Sequence, residues 1–177
     1  MDTGRTLDRD ELMDMPKERL LDLLFLQMRN MWTVDGLYYL SIEERFGTEV
    51  ATEIDKNIWA VMGKIEARRL KDSLGIKDDG IPSLIKALRF TSWSLDLEDK
   101  EIVVEENKAI LRNTDCRVQK TRIQKGLGEF PCKNVRWGYL KNFVKEFNEN
   151  MVVDCKVCPP DEHPNKKWCE WEFRIME

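Results

Sequence analysis

The sequence is poor in histidine. His163 is the single histidine among 177 residues, and it lies between an acidic residue and a proline. Because histidine is the side chain that most often serves as a general base near neutral pH, acid–base catalysis has few candidates here. The adjacent pairs Glu43-Glu44 and Glu105-Glu106 point apart and form no acid–base dyad. A nucleophile elbow, a phosphate-binding loop and a dinucleotide fingerprint are also missing.

A basic excess and long apolar runs are missing as well. The chain has 29 basic and 33 acidic residues, a formal net charge of -4, whereas nucleic-acid backbones are bound mainly by an excess of Lys and Arg. No stretch approaches the roughly 18 apolar residues of a membrane span, and residues 1–15 lack the apolar core of a signal peptide. We therefore expect a cytoplasmic protein with no nucleic-acid partner and no membrane partner.

The composition and length suit one domain over residues 1–177. The chain is 42% hydrophobic and 35% charged, which is ordinary for a globular protein with a buried core. We expect a helical part over residues 1–90, and a part with strands, two helices and the cysteines over residues 91–177. Residues 1–14 are expected to form a frayed polar lead.

Apolar residues recur every three or four positions in the first half, which predicts amphipathic helices. Three helices are expected, from Pro16 to Met31, from Thr33 to Phe46 and from Thr48 to Gly75, with Gly47 as the stop of the second. A short fourth helix is expected after residue 82. The apolar faces predicted to be buried are Leu20, Leu21, Leu24, Met28 and Met31 on the first helix, and Val50, Ile54, Ile58, Val61 and Ile65 on the third.

The hydrophobic period changes from 3.6 to 2 near residue 93, which predicts strands. Strands are expected at residues 93–97, 102–106, 109–116, 151–158 and 168–176, and helices at residues 117–125 and 135–147. Helices come first and strands later, so the fold class is α+β with a small, mostly antiparallel sheet.

Five cysteines suggest a metal site, because disulfides are rare in a reducing compartment. Cys155 and Cys158 form a C-x2-C pair at the end of one predicted strand, and Cys169 begins the next. Such a pair chelates one ion, and a second pair from elsewhere completes the tetrahedron that zinc prefers. Cys132 precedes a predicted helix, whereas Cys116 ends an earlier strand and is better explained as a small buried hydrophobe.

Three alternatives to zinc stay open. The cysteines could be free thiols, could hold an iron–sulfur cluster, or could include a redox pair. The redox interpretation is weaker because Pro159-Pro160, rather than a helix, follows the C-x2-C pair. His163 would extend the pattern to C-x2-C-x4-H-x5-C, but its proline-rich loop and the acidic charge of the chain favour an exposed loop residue over a ligand.

The end of the chain resembles the vinyl-reductase-type small-molecule-binding domain. The resemblance is carried by Cys132, Gly138-Tyr139, Cys155-Lys156-Val157-Cys158 and the strand from Cys169 to Phe173. Aminothiazoline-carboxylate-hydrolase-like proteins have a similar ending. Through DGLYYLSIEERFG, GLGEFPCK and CPPDEHP, the whole chain looks most like an uncharacterised family of small prokaryotic cytosolic proteins.

This resemblance implies a fold and a ligand set. The fold would have N-terminal helices packed on a small sheet, as in the ligand-binding fold of nitric-oxide signalling and vesicle-transport proteins. The metal ligands implied are Cys132, Cys155, Cys158 and Cys169.

An apolar pocket is expected between the sheet and the helices, where such domains bind small ligands. Trp137 and Tyr139 are expected to line it, whereas Trp93 fits the core better. Arg117 could hold a ligand carboxylate by bidentate hydrogen bonds, as could Arg122, although a solvated helix face is the ordinary use of such arginines.

Two functions follow from these residues. The first is a small-molecule-binding or sensor-like protein with a structural cysteine-ligated zinc, acting as a homodimer through its N-terminal helices and taking a small apolar or aromatic ligand, with or without a carboxylate. The second is a hydrolase or reductase on a small organic acid, with Cys116 as the nucleophile and Arg117 holding the substrate carboxylate.

Overall fold

The computed structural model describes residues 3–97 and 99–176, with side chains from residue 8 onward. This part of the chain contains six helices and four strands. The helices are α1 (Thr3–Asp14), α2 (Lys17–Ser73), α3 (Ile81–Leu88), α4 (Ser92–Asp96), α5 (Arg117–Gln124) and α6 (Cys132–Lys145). The strands are β1 (Lys100–Val104), β2 (Lys108–Asn113), β3 (Met151–Val157) and β4 (Cys169–Ile175).

The strands form one sheet in the order β1-β2-β4-β3, and each pair of neighbours is antiparallel. Side chains alternate between the two faces of a strand, so Trp171 and Phe173 on β4 are fully buried on the helical side. Helix α6 covers this face with Tyr139, Leu140 and Phe143, which are also fully buried. The arrangement is α+β, with helices packed on a small antiparallel sheet, and it confirms the predicted fold class.

Helix α2 is a hairpin that turns at Gly47. The backbone of Gly47 has φ 85° and ψ 164°, a left-handed conformation that glycine adopts without a steric penalty. Residues on either side then meet in pairs: the rings of Trp32 and Trp59 stack with their centroids 4.8 Å apart, and the Tyr39 hydroxyl lies 2.9 Å from Thr52 Oγ1. The predicted stop at Gly47 is confirmed, and we call residues 17–46 and 48–73 the first and second arms of the hairpin.

The predicted break between Met31 and Thr33 is wrong. The helix continues through these residues because neither glycine nor proline interrupts them, and the Thr33 hydroxyl donates to the carbonyl of Arg29 one turn earlier at 2.8 Å. Although α2 spans 57 residues, none of the helices in the described ranges is long and apolar enough to cross a bilayer.

The face of the second arm that packs inward is not the predicted one. Every fourth residue from Ala51 to Ala67 is buried or nearly so, including Asp55, Trp59 and Gly63. A side chain on Gly63 would collide with the backbone carbonyl of Tyr139, so the absence of one lets α6 approach closely. The apolar residues predicted to be buried are exposed instead: Val50, Ile54, Ile58, Val61 and Ile65 on the second arm, and Leu20, Leu21, Leu24 and Met31 on the first, where Met28 alone of the predicted face is buried.

Two short segments also differ from the sequence prediction. Residues 93–97 belong to helix α4 and its end rather than to a strand, because Thr91 caps the helix by accepting a hydrogen bond from the amide of Ser94 at 3.3 Å. The alternation of apolar residues was therefore misleading there. Residues 3–14 form α1 rather than a frayed lead.

Candidate functional site

A cavity of about 190 Å³ lies between the α2 hairpin, α5, α6 and the inner face of β2 and β4. Its lining is mainly apolar and is rich in aromatic rings. The rings that line it are Trp32, Tyr39, Trp59, Trp93, Phe130, Tyr139 and Trp171. The lining residues are far apart in the sequence. The turn of the hairpin and the packing of α6 bring them together.

Two carboxyl groups, Asp35 and Asp55, face this cavity from the two arms of the hairpin. Asp55 is 8% exposed, and Asp35 Oδ1 accepts a hydrogen bond from the indole of Trp59 at 3.2 Å. Burial raises the pKa of Asp55 to about 7, and the neighbouring charge of Asp35 raises it further than burial alone would. Burial also raises the pKa of Asp35, although Trp59 and Arg136 oppose the shift. The pair therefore retains a proton near neutral pH.

The sequence interpretation missed this pair. Asp35 and Asp55 are twenty positions apart, and they meet only because the hairpin turns at Gly47. A signal was nevertheless available, since Asp55 stands in the four-residue row that includes Ala51 and Trp59. An aspartate on a face of small residues indicates burial once that face is recognised as the inner one.

Arginines at the cavity have partners within the protein. Arg117, the residue expected to hold a carboxylate, forms a 3.0 Å ion pair with Asp96, which also binds Arg29 at 3.2 Å. Arg122 forms a bidentate pair with Glu43, at 2.8 and 2.9 Å, and holds the pKa of that carboxyl below its usual range. Both arginines line the cavity, but protein carboxylates already balance their charges.

The sheet side of the cavity carries polar atoms that lack partners. Among the described residues, Asn113 Oδ1 and Trp171 Nε1 are buried with no hydrogen-bond partner. Asn113 is 3% exposed and Trp171 is fully buried, and both line the cavity. Buried polar atoms are nearly always satisfied in proteins, but these two have almost no accessible surface, so they lie behind the cavity wall rather than on it.

The four cysteines of the predicted metal site converge. The thiol of Cys158, which is fully buried, shares side-chain hydrogen bonds with Cys132, Cys155 and Cys169. Three elements bring them together: Cys132 is the first residue of α6, Cys155 lies near the end of β3 and Cys169 begins β4. The strand pairing of β3 with β4 is irregular between Cys155 and Val157, just before Cys158.

Hydrogen bonds and nearby cations set the acidity of these thiols. The hydrogen bond from Cys158 lowers the pKa of Cys132 against the effect of burial, and Arg136 lowers it further. The same hydrogen bond, followed by the charge of Lys133, lowers the pKa of Cys155. Conversely, its three thiol partners raise the pKa of Cys158. Such a group readily supplies thiolates, which are the form that binds metals.

As placed, the thiols are a hydrogen-bonded group rather than a preformed metal site. Within residues 3–97 and 99–176, no group of three or more His, Cys, Asp or Glu side chains is arranged to hold a metal ion. His163 packs on Trp168, with ring centroids 4.8 Å apart, and its Nε2 lies 3.2 Å from Glu129 Oε1. The histidine is thus occupied by other contacts.

Of the remaining predicted residues, Tyr139 and Cys116 line the cavity, whereas Trp137 does not. Tyr139 lines the cavity, and its hydroxyl donates to Glu66 Oε2 at 2.7 Å. Trp137 lies elsewhere, on the outer side of α6, where it is 45% exposed and its indole N–H donates to the carbonyl of Val153. Cys116 lines the cavity, and burial raises the pKa of its thiol to about 12.

Comparison with known proteins places the fold. No curated protein matches the chain. A solved structure that matches is trafficking protein particle complex subunit 3 from Naegleria fowleri, crystallised covalently bound to palmitic acid. The two share 9% identity with a TM-score of 0.55, and the match covers 86% of this chain and 96% of that chain. A likeness at this identity concerns the fold alone.

The fold implied by the sequence resemblance is confirmed, since the neighbour is a vesicle-transport protein. The resemblance to vinyl-reductase-type domains stays a prediction. A family model matches residues 13–175, which is most of the chain, and the chain therefore belongs to the family described as "Family of unknown function (DUF6125)".

Proposed function

We propose that this protein is a small-molecule-binding module whose ligand occupies the cavity between the α2 hairpin and the sheet. The observation that carries the proposal is an apolar cavity lined by aromatic rings, which two carboxyl groups, Asp35 and Asp55, face from the hairpin. Apolar walls with a few placed polar groups are the usual composition of a ligand site.

The volume limits the ligand to a small one. Drug-sized ligands occupy pockets of roughly 300–1,000 Å³, whereas an apolar cavity of about 150 Å³ holds one benzene. A space of about 190 Å³ therefore suits a single ring with a short substituent. The structural neighbour carries a palmitic acid, which supports an apolar ligand in this fold, but a chain of that length would need a larger space than the one here.

We also propose that the four clustered cysteines bind one zinc ion. All four are of the ligand type that fills a structural zinc site, and they already touch around Cys158. Four sulfurs at about 2.3 Å from a zinc ion are about 3.8 Å from each other, a spacing that thiols in mutual contact reach with small movements. The ion would replace the shared protons, and Lys133 and Arg136 would offset the charge of four thiolates.

Elemental analysis tests the zinc proposal. Protein purified without chelator is expected to contain about one zinc per chain, because four thiolates complete the tetrahedral shell. Cys158→Ser should lose the metal, whereas Cys116→Ser, the matched control outside the cluster, should retain it. Iron with visible absorbance, or five freely reactive thiols and no metal, would contradict the proposal.

The enzymatic alternative, a hydrolase or reductase on a small organic acid, has less support. It needs Cys116 as a nucleophile, yet thiolates and not thiols attack, and burial raises the pKa of Cys116 to about 12. It also needs Arg117 to hold a substrate carboxylate, but Asp96 already pairs with that guanidinium.

We further propose that the protein is a cytoplasmic homodimer joined through the second arm of the hairpin. The exposed residues Val50, Ile54, Ile58, Val61 and Ile65 form one apolar stripe along that arm, about 22 Å long at 1.5 Å per residue. Monomers rarely leave so long an apolar surface in water. A second copy is the partner we favour, because two such stripes related by a two-fold axis cover each other completely.

Sedimentation equilibrium tests the dimer. A chain of 21.0 kDa is expected to sediment as a species of twice that mass at micromolar concentration. Ile58→Lys combined with Val61→Lys should give a monomer of unchanged helix content, because two charges would be buried without partners. Val103→Lys, an exposed apolar position on β1, is the matched control and should leave the dimer intact. A monomeric native protein would contradict the assignment.

Calorimetric titration tests the binding function. The probes are 2-phenylethanol, 2-phenylethylamine and 3-phenylpropionate, which share a phenyl ring and a short chain but differ in charge. At least one is expected to bind the native protein with one site per chain. If none binds, the proposal of a small-molecule-binding module fails.

A further inference from the structure

The two carboxyl groups of the cavity lack cationic partners of their own. In the described part of the chain, neither Asp35 nor Asp55 takes part in an ion pair, and the indole of Trp59 is the side chain that donates to them. Both groups line the same cavity from the two arms, and the charge of Asp35 disfavours the charge of Asp55. A pair of this kind is costly to bury unless something supplies positive charge or hydrogen-bond donors.

Two of the nearby arginines are paired with other carboxylates. Asp96 holds Arg117 and Glu43 holds Arg122. Arg136 is the cation that acts on both aspartates, but its guanidinium lies 4.4 Å from the ring centroid of Trp93 and also hydrogen-bonds Cys132. In the described part of the chain Arg136 forms an ion pair with neither aspartate, so both carboxyls remain able to accept hydrogen bonds from a ligand at the hairpin side of the cavity.

The surroundings of the carboxyls suit an organic cation. The stacked rings of Trp32 and Trp59 flank the pair, with Trp59 in direct hydrogen-bond contact with Asp35. Aromatic faces next to carboxylates are the usual environment for ammonium groups, because the negative face of the ring attracts the cation. An anionic ligand would instead meet two carboxyls, and two of the cavity arginines, Arg117 and Arg122, are already paired with carboxylates.

We propose that the cavity selects a small primary amine with a single aromatic or branched apolar body, and that Asp35 and Asp55 hold its ammonium group. The inference rests on the binding function proposed above and adds the chemical class of the ligand. The apolar body fills the space toward Trp171 and Tyr139, and the volume of about 190 Å³ limits it to one ring and a short chain.

The three phenyl probes test the preference for an amine separately from the proposed small-molecule-binding function. By calorimetry on the full chain, 2-phenylethylamine is expected to bind roughly tenfold more tightly than 2-phenylethanol, because a charge-assisted hydrogen bond to a carboxylate replaces a neutral one. The paired substitution Asp35→Asn and Asp55→Asn keeps the shape of the site and should bring the two affinities within about twofold of each other. Asp22→Asn, an exposed position on the same helix, is the matched control and should preserve the preference.

Stronger binding of 3-phenylpropionate or of 2-phenylethanol overturns the amine preference and leaves the binding function standing. Retention of the preference in the doubly substituted protein also overturns it, because the carboxyls would then not be the partners of the ammonium group. Binding of none of the three probes overturns both proposals. Circular dichroism of the substituted proteins shows that a loss of preference is not a loss of fold.

Discussion

Burial of Asp55 makes the stability of the fold depend on pH. The pKa of Asp55 is about 7 in the folded protein, against an ordinary value of 3.8. Between these values the native state binds more protons than the unfolded chain, so the free energy of unfolding falls as the pH rises from about 4 to 7. Asp35 on the same helix and Cys132 on α6 add to the effect, while Arg136 on α6 opposes it. The charged form of Asp55 is thus a strain that a bound cation would relieve.

Asp55→Asn is expected to remove that strain. The amide has nearly the same shape and no charge, so the variant should gain stability over the native protein, and the gain at pH 8 should exceed that at pH 5 by up to about 3 kcal/mol. Urea unfolding at the two pH values measures the difference. An exposed aspartate substituted in the same way, Asp22→Asn, should shift stability equally at both. Equal gains at pH 5 and 8 for Asp55→Asn would show that the carboxyl is not buried in its charged form.

At the scale of elements, the contact between α6 and the second arm of α2 holds the cavity in place. Gly63 is a point of close approach, because a Cβ there would overlap the backbone carbonyl of Tyr139. The overlap is with backbone, so no rearrangement of a side chain could relieve it. Gly138 lies on the facing side of α6, where an added Cβ would be 3.6 Å from the side chain of Ala60, an ordinary contact distance. Two glycines in one helix pair thus have opposite roles.

Gly63→Ala is therefore expected to destabilise the protein by about 1–3 kcal/mol, as overpacking of a tight core does. Gly138→Ala should be neutral or stabilising by up to about 1 kcal/mol, since alanine favours a helix over glycine. Thermal unfolding of the two variants side by side gives the comparison. If both glycines accept alanine equally well, the close approach of the two helices is not as described.

The elements that sequence reasoning predicted correctly depend on local signals. Gly47 was recognised as a stop because a left-handed turn favours glycine, and β4 was recognised because Trp171 and Phe173 alternate with charged residues. Which side of the second arm packs inward could not be read locally, because the stripe from Val50 to Ile65 is more apolar than the buried row from Ala51 to Ala67, which contains Asp55. The choice depends on how closely α6 must approach.

Sequence reasoning likewise predicted some residues of the candidate site and missed others. Spacing and resemblance name Cys132, Cys155, Cys158 and Cys169 as one group, and the Cys158 thiol interacts with the other three. Their role as metal ligands stays a prediction. The pair of Asp35 and Asp55 was missed because its members lie on separate arms of a hairpin. Trp137 is predicted beside the ligand together with Tyr139, yet residues two positions apart in a helix point to nearly opposite sides, and only Tyr139 faces the cavity.

At the scale of the whole molecule, the cavity, the thiol cluster and the apolar stripe share structural elements. The inner side of the α2 hairpin faces the cavity, and its outer side carries the stripe of Val50, Ile54, Ile58, Val61 and Ile65. Cys132 and Cys169 belong to both the cavity wall and the thiol cluster. A metal bound by the cluster would therefore also hold one wall of the cavity in place. A ligand in the cavity would lie next to the start of α6.

Occupancy of the cavity by a ligand is the central claim, and substitution of Gly36 tests it most directly. Gly36 lines the cavity, and a Cβ built on it meets no atom within 4 Å. Gly36→Leu should fill the space, raise the free energy of unfolding by about 1 kcal/mol through helix propensity, and abolish calorimetric binding of any phenyl probe that the native protein binds. Gly36→Ala, which gains the same propensity but leaves most of the space open, should still bind. Undiminished binding by a well-folded Gly36→Leu protein would contradict the claim that the ligand occupies this cavity.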